Sequence, residues 1–322
     1  MNVGIIGAGH IAEKAAWTLS RMPDMQCLAV GSRSLEKART FAAKYGIERA
    51  YGSYSDLLDD PSVDLVYVAT PHSHHYAVTR EALLKGKPCL VEKAFMANAR
   101  ETAEILDLSE RLHVFVAEAI WTRYLPVQDM ARELIASGVI GEPRMYSATL
   151  SYEISWKERV LKPELCGGAL LDLGVYGLNF VRMFCTSPVT GVSSHCIKFP
   201  TGVDAAETIT LEMADGSLGC IQSSALCQGE NMGVIAGTTG YLVFDDVNSP
   251  SRLAVYRKGH VLERELQAPP QITGFEYQFR VCRDAISAGK IEPPQMPHAE
   301  ILCVMQMMDS LRSTWGVRFP MD

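Results

Sequence analysis

At 322 residues the chain is long enough for two ordinary domains, each able to bury a core without disulfide or metal staples. Its 48% hydrophobic and 21% charged residues are those of a globular protein and exclude a disordered one. A formal net charge of -7, with the basic residues scattered among acids, argues against a nucleic-acid partner. The nine cysteines run from Cys27 to Cys303 with no C-x-x-C pair, which reads as reduced thiols in a cytosol. No apolar run reaches membrane-spanning length, and Asn2 to Ile6 already reads as a strand, leaving no room for a signal peptide. A cytoplasmic protein with no membrane partner is expected.

The first third alternates strand and helix patterns. Short apolar runs fall at 3–6, 27–30, 65–69, 89–91 and 114–117, and helical patterns lie at 11–20, 34–44, 75–85 and 99–111. That alternation predicts an α/β Rossmann domain, a parallel doubly wound sheet, over residues 1–122. The pattern changes after Pro126. A helix at 127–137 leads to a long strand at 144–152, then to a helix at 168–184 opened by two glycines. From 189 to 265 strands follow one another, with turn signals such as Ala214-Asp215-Gly216 between them. Ile209, Leu211 and Met213 alternate with Thr208, Thr210 and Glu212, a half-exposed strand. Two helices, 275–288 and 298–314, close the chain. Residues 123–322 are therefore predicted to form an α+β domain with a mostly antiparallel open sheet.

Gly7-Ala8-Gly9-His10-Ile11-Ala12 fits G-x-G-x-x-[GA] between a strand and a helix. Gly7 allows the tight turn, and Gly9 lets the backbone approach a pyrophosphate at the helix N-terminus, beside His10 and Ile11. The second strand ends in Gly31-Ser32-Arg33-Ser34, without the carboxylate that usually holds the ribose hydroxyls of NAD. Ser32 and Arg33 suit a 2′-phosphate instead, so NADP is expected over NAD. An exposed, solvated Arg is the plain alternative.

Three further motifs join this one: Thr70-Pro71-His72-Ser73-His74-His75, Glu92-Lys93, and Gly167-Gly168-Ala169-Leu170-Leu171-Asp172-Leu173-Gly174-Val175-Tyr176. Together the four resemble the glucose-fructose oxidoreductase / inositol dehydrogenase (Gfo/Idh/MocA) family. Glu118 to Pro126 and Tyr176, where most of the family has His, resemble its dimeric dihydrodiol dehydrogenase branch. The resemblance implies NADP-dependent oxidation of trans-dihydrodiols and sugars, and a homodimer joined through the sheets of the second domains. The chain departs from the family in having Ala94 for the usual proline after Glu-Lys, and His72 for the usual Asn.

Oxidising an alcohol needs a base for its proton and a nicotinamide for its hydride. Gly168, Asp172, Tyr176 and Phe180 recur every four residues and are expected on one helix face. A free phenol is a poor base at neutral pH, and an ammonium such as Lys93 would favour the phenolate. Tyr176 is assigned as general acid/base, Lys93 as its electrostatic partner, and Asp172 as an orienting or substrate contact. Tyr176 is otherwise a core residue with a satisfied hydroxyl. Thr70, His72, His75, Glu92 and Lys93 are assigned to the cofactor end. Trp121, Arg123 and Trp156 are assigned to the substrate pocket, although the tryptophans would also serve at a domain junction. His72, His74 and His75 lack companion Cys or carboxylate ligands, so no metal is expected. Two further functions stay open: a reductase of a keto- or anhydro-sugar, and a catalytically silent NADP-binding sensor or scaffold. The partner expected is a small polyol or sugar.

Overall fold

Parallel strands buried on both faces need unbroken apolar runs, and the first half of the chain supplies them. The computed structural model describes residues 1–322. Its elements begin β1 (Asn2–Ile6), α1 (His10–Leu19), β2 (Gln26–Gly31), α2 (Leu35–Tyr45), β3 (Arg49–Tyr51), α3 (Tyr54–Leu58) and β4 (Leu65–Val68). α4 (His72–Leu84), β5 (Cys89–Glu92), α5 (Ala99–Leu112) and β6 (Val116–Ala119) follow. The six strands form one parallel sheet in the order β3-β2-β1-β4-β5-β6, a Rossmann arrangement. Side chains of Ser34, Ser53 and Asn98 accept from the backbone N–H of Lys37, Asp56 and Glu101, and so fix where α2, α3 and α5 begin.

β3 and α3 were not expected, being too short to carry a period. Side chains hold this stretch instead: Arg49 donates to both carboxylate oxygens of Asp60 at 2.9 and 2.8 Å, and the Tyr51 hydroxyl donates to the same group. α4 begins at His72, directly after Pro71, a turn earlier than the predicted start at 75.

The chain continues through α6 (Pro126–Ala136), β7 (Pro143–Ser151), α7 (Glu158–Leu161), a π-helical turn (Leu170–Gly174) and α8 (Val175–Phe184). Seven strands follow: β8 (Val189–Lys198), β9 (Asp204–Met213), β10 (Leu218–Ser224), β11 (Gly233–Gly237), β12 (Gly240–Phe244), β13 (Arg252–Arg257) and β14 (Val261–Gln267). α9 (Phe275–Ser287) and α10 (His298–Trp315) close the sequence.

The eight-stranded sheet runs β14-β13-β12-β11-β7-β10-β9-β8, with β7 and β10 parallel and every other neighbour antiparallel. On β9, Ile209, Leu211 and Met213 are buried while Thr208 and Glu212 are exposed, the alternation read from sequence. The turn at Ala214-Asp215-Gly216 joins β9 to β10, with Gly216 at φ +81 and the Asp215 carboxylate accepting from the Ser217 N–H. α8 lies against β7 and β10, and its Phe180 packs edge-on to Phe244 of β12 at 5.1 Å. No helix is long and apolar enough to cross a membrane.

The chain divides into two compact units. One comprises Met1–Trp121 with Gln271–Gln306 and Met321; the other comprises Thr122–Pro270 with Met307–Pro320 and Asp322. The return of 271–306 to the first unit differs from the sequence division, which kept everything after 122 in the second. Its cause is apolar: Phe279 of α9 is fully buried and meets Tyr67 of β4 edge-on at 5.4 Å, and the Val116 N–H donates to the Ile291 carbonyl. Periodicity marks α9 as amphipathic but does not say which sheet its apolar stripe covers.

Candidate functional site

In the first unit the assigned residues gather at the C-terminal ends of the parallel strands, where open α/β sheets bind ligands. Gly7 has φ +108, and a Cβ there would lie 2.5 Å from the Ala69 carbonyl oxygen, so the crossing of β1 past β4 requires glycine. Gly9 differs. Its φ is ordinary and a Cβ would meet nothing within 4 Å, so the space over the start of α1 stays open. No side chain caps that start, which leaves its first N–H groups available to an anion. His10 is almost wholly exposed and Ile11 half-buried.

At the end of β2, Ser32 is buried and Arg33 exposed. Arg33 makes no ion pair; its charge acts on Tyr54 and on His74, whose imidazole burial and Arg33 together push down. The Thr70 hydroxyl after β4 is buried with no hydrogen-bond partner, a polar atom the protein leaves unsatisfied. An open helix start, an unpaired guanidinium and an orphaned hydroxyl fit a dinucleotide phosphate and ribose.

The assigned histidines divide. His72 Nε2 lies 3.0 Å from the Lys93 carbonyl oxygen. His75 is fully buried, with Nδ1 on the carbonyls of Ala94 and Phe95 and Nε2 on that of Thr70. Burial pushes its imidazole pKa down, although those three carbonyls pull it back. His75 thus clamps two loops and offers no surface to a ligand, a correction to its assignment as a direct cofactor contact. Glu92 is also buried. It accepts from the Tyr67 hydroxyl, and burial raises its carboxyl against the pull of Tyr67, Lys93 and Lys14. It too supports the loop from beneath. The Lys93–Ala94 peptide bond is cis, and Ala94 to Ala97 are buried, so the segment without the usual proline is packed. The structure contains no group of three or more His, Cys, Asp or Glu able to hold a metal ion.

Trp121 is 4% exposed and lies 5.3 Å from the Phe275 ring, with the Lys14 ammonium 4.1 Å from both ring centroids. Burial lowers the Lys14 pKa, while Glu92 and Glu276 raise it. No sequence motif singled out Lys14, because the two rings it meets lie more than a hundred residues away.

In the second unit, Asp172 and Tyr176 are buried at 6% and 7% exposure. Arg159 donates to both oxygens of Asp172 at 3.0 Å, a bidentate pair that fixes the carboxylate plane. The expectation that Gly168, Asp172, Tyr176 and Phe180 share one face needs correction. Gly168 lies on Asp204 and Phe180 on Phe244, whereas Asp172 turns to Arg159. The wider π-helical turn between them breaks the four-residue spacing. Arg123 is buried and donates to the Asn179 side chain at 2.7 Å, and Trp156 is 72% exposed beside Lys157.

Two domain models match the sequence. Residues 1–119 fit the Gfo/Idh/MocA oxidoreductase family's NAD-binding Rossmann fold, and residues 129–243 fit its C-terminal domain. The trans-1,2-dihydrobenzene-1,2-diol dehydrogenase of Mus musculus is 32% identical over 99% of this chain and 98% of its own. The chain belongs to the Gfo/Idh/MocA oxidoreductase family. The Xenopus tropicalis enzyme of the same name is also 32% identical, over 98% of each chain. Solved structures repeat the fold. A 3-ketoreductase from Actinomadura kijaniata, in complex with NADP and TDP-benzene, has a TM-score of 0.87 at 24% identity and 97% coverage of both chains. The aldose-aldose oxidoreductase of Caulobacter crescentus, complexed with glycerol, has a TM-score of 0.88 at 22% identity, covering 98% of this chain and 97% of its own.

Proposed function

We propose that this oxidoreductase uses NADP to move hydride to or from a secondary alcohol or ketone of a trans-dihydrodiol or cyclic sugar. The observation that carries the reading is the near-full-length likeness to dihydrodiol dehydrogenases. Arg33 supports the choice of NADP: it is unpaired and stands where a carboxylate would serve NAD. Gly7, Gly9 and the start of α1 hold the pyrophosphate, Ser32 and Arg33 the 2′-phosphate, and Thr70 and His72 the ribose and nicotinamide side. The nicotinamide supplies the hydride acceptor or donor. Tyr176 gives and takes the hydroxyl proton, Lys93 favours its phenolate, and Asp172, its orientation fixed by Arg159, orients a substrate hydroxyl.

The chain works as a homodimer in this reading. Cross-strand register puts Met145, Leu218, Thr208, Thr210, Val234 and Tyr241 on the sheet face opposite α8, where Met145 is 42% exposed. All nine cysteines are free, which fits a reducing, cytoplasmic setting.

The test is a titration with NADP and NAD, followed by NADPH formation across trans-dihydrodiols, inositols and aldopyranoses. Tighter NADP binding and turnover with one of these classes are expected. Tight binding without turnover in either direction would leave the sensor, and a preference for NAD would overturn the cofactor assignment.

A further inference from the structure

Two carboxyl groups lie beneath the π-helical turn, and neither belongs to the chemistry described above. Asp204 and Glu207 stand at the start of β9, at 0% and 3% exposure, and neither makes an ion pair. Asp204 Oδ2 accepts from the Leu170 N–H at 2.5 Å, while its Oδ1 is buried without a partner. The Ser223 hydroxyl donates to Glu207 Oε1, and Oε2 has no partner. Charged groups are almost never buried this deeply unless paired, so their retention calls for a reason.

Two glycines supply one. Gly168 has φ +123, and a Cβ there would lie 2.4 Å from Asp204 Oδ1; at Gly174 it would lie 2.7 Å from Glu207 Oε1. Each carboxyl therefore fills the space a side chain would take at one end of the turn. Asp172 lies between these two glycines and Tyr176 just beyond the second. Asp204 caps the N–H groups that open the turn, as a capping side chain does, but from a strand 34 residues away.

We propose that Asp204 and Glu207 are positioning residues, a pair of carboxyl groups that clamps both ends of the π-helical turn and so sets Asp172 and Tyr176 for proton transfer. This rests on the reading of Tyr176 as acid/base. Burial and the neighbouring Asp204 push the Glu207 carboxyl well up, which favours its protonated form. Burial raises Asp204 as well, but the N–H groups of Leu170 and Ala169 favour its ionised form. Few other charges face the pair. Arg312 of α10 is committed to Asp309 and Asp322. On β8 stand Cys196, whose thiol burial and then the two carboxyls push up to about 12, and the exposed Lys198. The turn itself contributes backbone N–H groups.

The experiment uses the full chain with Asp204→Asn and Glu207→Gln, read by amide hydrogen exchange, by the split between kcat and KM, and by thermal midpoint against pH. Asp204→Asn should speed exchange across 168–176 and lower kcat by about tenfold or more, with KM and NADP affinity within about twofold. The Glu207 pKa is raised on folding, so the parent loses stability as pH rises above the unfolded value. Glu207→Gln removes that loss, and its midpoint should exceed the parent's by a margin that grows from pH 5 to pH 8.

Unchanged exchange in Asp204→Asn, or a Glu207→Gln midpoint below the parent's at pH 8, overturns the clamp. Faster exchange with kcat kept in both Asp204→Asn and Tyr176→Phe keeps the clamp and overturns the role of Tyr176. Should Asp204→Asn fail to fold, Gly174→Ala should lose turnover, and Gly174→Ala with Glu207→Ala should regain part of it. No recovery overturns the proposal.

Discussion

Gly9 and Gly168 each follow another residue of a glycine motif, yet the two regions use the missing side chain differently. Above Gly9 there is open space on an ordinary backbone. Above Gly168 sits the Asp204 carboxylate, on a backbone that L residues avoid. The first region is left unsatisfied by the fold, with an orphaned Thr70 hydroxyl and an uncapped helix start. In the second, Asp172 is paired to Arg159 and Asp204 caps the turn, while one oxygen each of Asp204 and Glu207 is buried without a partner.

The largest expected effect lies in the second region. Tyr176→Phe should lower turnover by ~10²–10⁴-fold while NADP affinity holds, since the cofactor residues are untouched. Lys93→Met should also lose turnover, and the Tyr176→Phe loss should be much smaller in that background, because groups acting as a unit are not additive. Stopped-flow rates and a separate cofactor titration check both. Full additivity would separate Lys93 from Tyr176.

Arg33→Ala comes next, in the first region. Losing a charge-assisted contact of roughly 1.5–3 kcal/mol should weaken NADP by about ten- to a hundredfold and barely change NAD. Equal losses would show that Arg33 does not read the 2′-phosphate.

The glycines sharpen the contrast most cleanly. Gly9→Ala should weaken NADP with little change in thermal midpoint. Gly168→Ala should cost stability, about 1–3 kcal/mol for an L residue held in that region before any clash with Asp204. A large loss of midpoint in Gly9→Ala, or none in Gly168→Ala, would erase the distinction. Smallest of all is the effect of chelation: dialysis against a strong chelator should leave turnover unchanged. Loss restored by zinc would reopen the histidine cluster.

Much of this was legible from residue order. The Rossmann strands, the phosphate loop and the motif order depend on local spacing, which a sequence displays directly. Direction and depth were less legible. His75 reads like His72, but its nitrogens close on three backbone carbonyls and leave nothing for a ligand. Trp156 reads like Trp121, but one is exposed and the other packed against Phe275. What sequence hid were the partners that no motif names: Arg159 for Asp172, Asp204 for the Leu170 N–H, and Lys14 between two rings. No period or motif announces such partners. The return of 271–306 to the first unit was hidden for the same reason.

The central claim is hydride transfer from a substrate carbon to NADP, and isotope transfer tests it most directly. A trans-diol or aldopyranose carrying deuterium on the reacting carbon would be incubated with enzyme and NADP, and the reduced cofactor weighed by mass spectrometry. The account predicts NADPH one deuterium heavier, formed at a rate that Tyr176→Phe depresses without changing NADP binding. NADPH formed without the label, or a chain that binds NADP and forms none from any of these substrates, would contradict it.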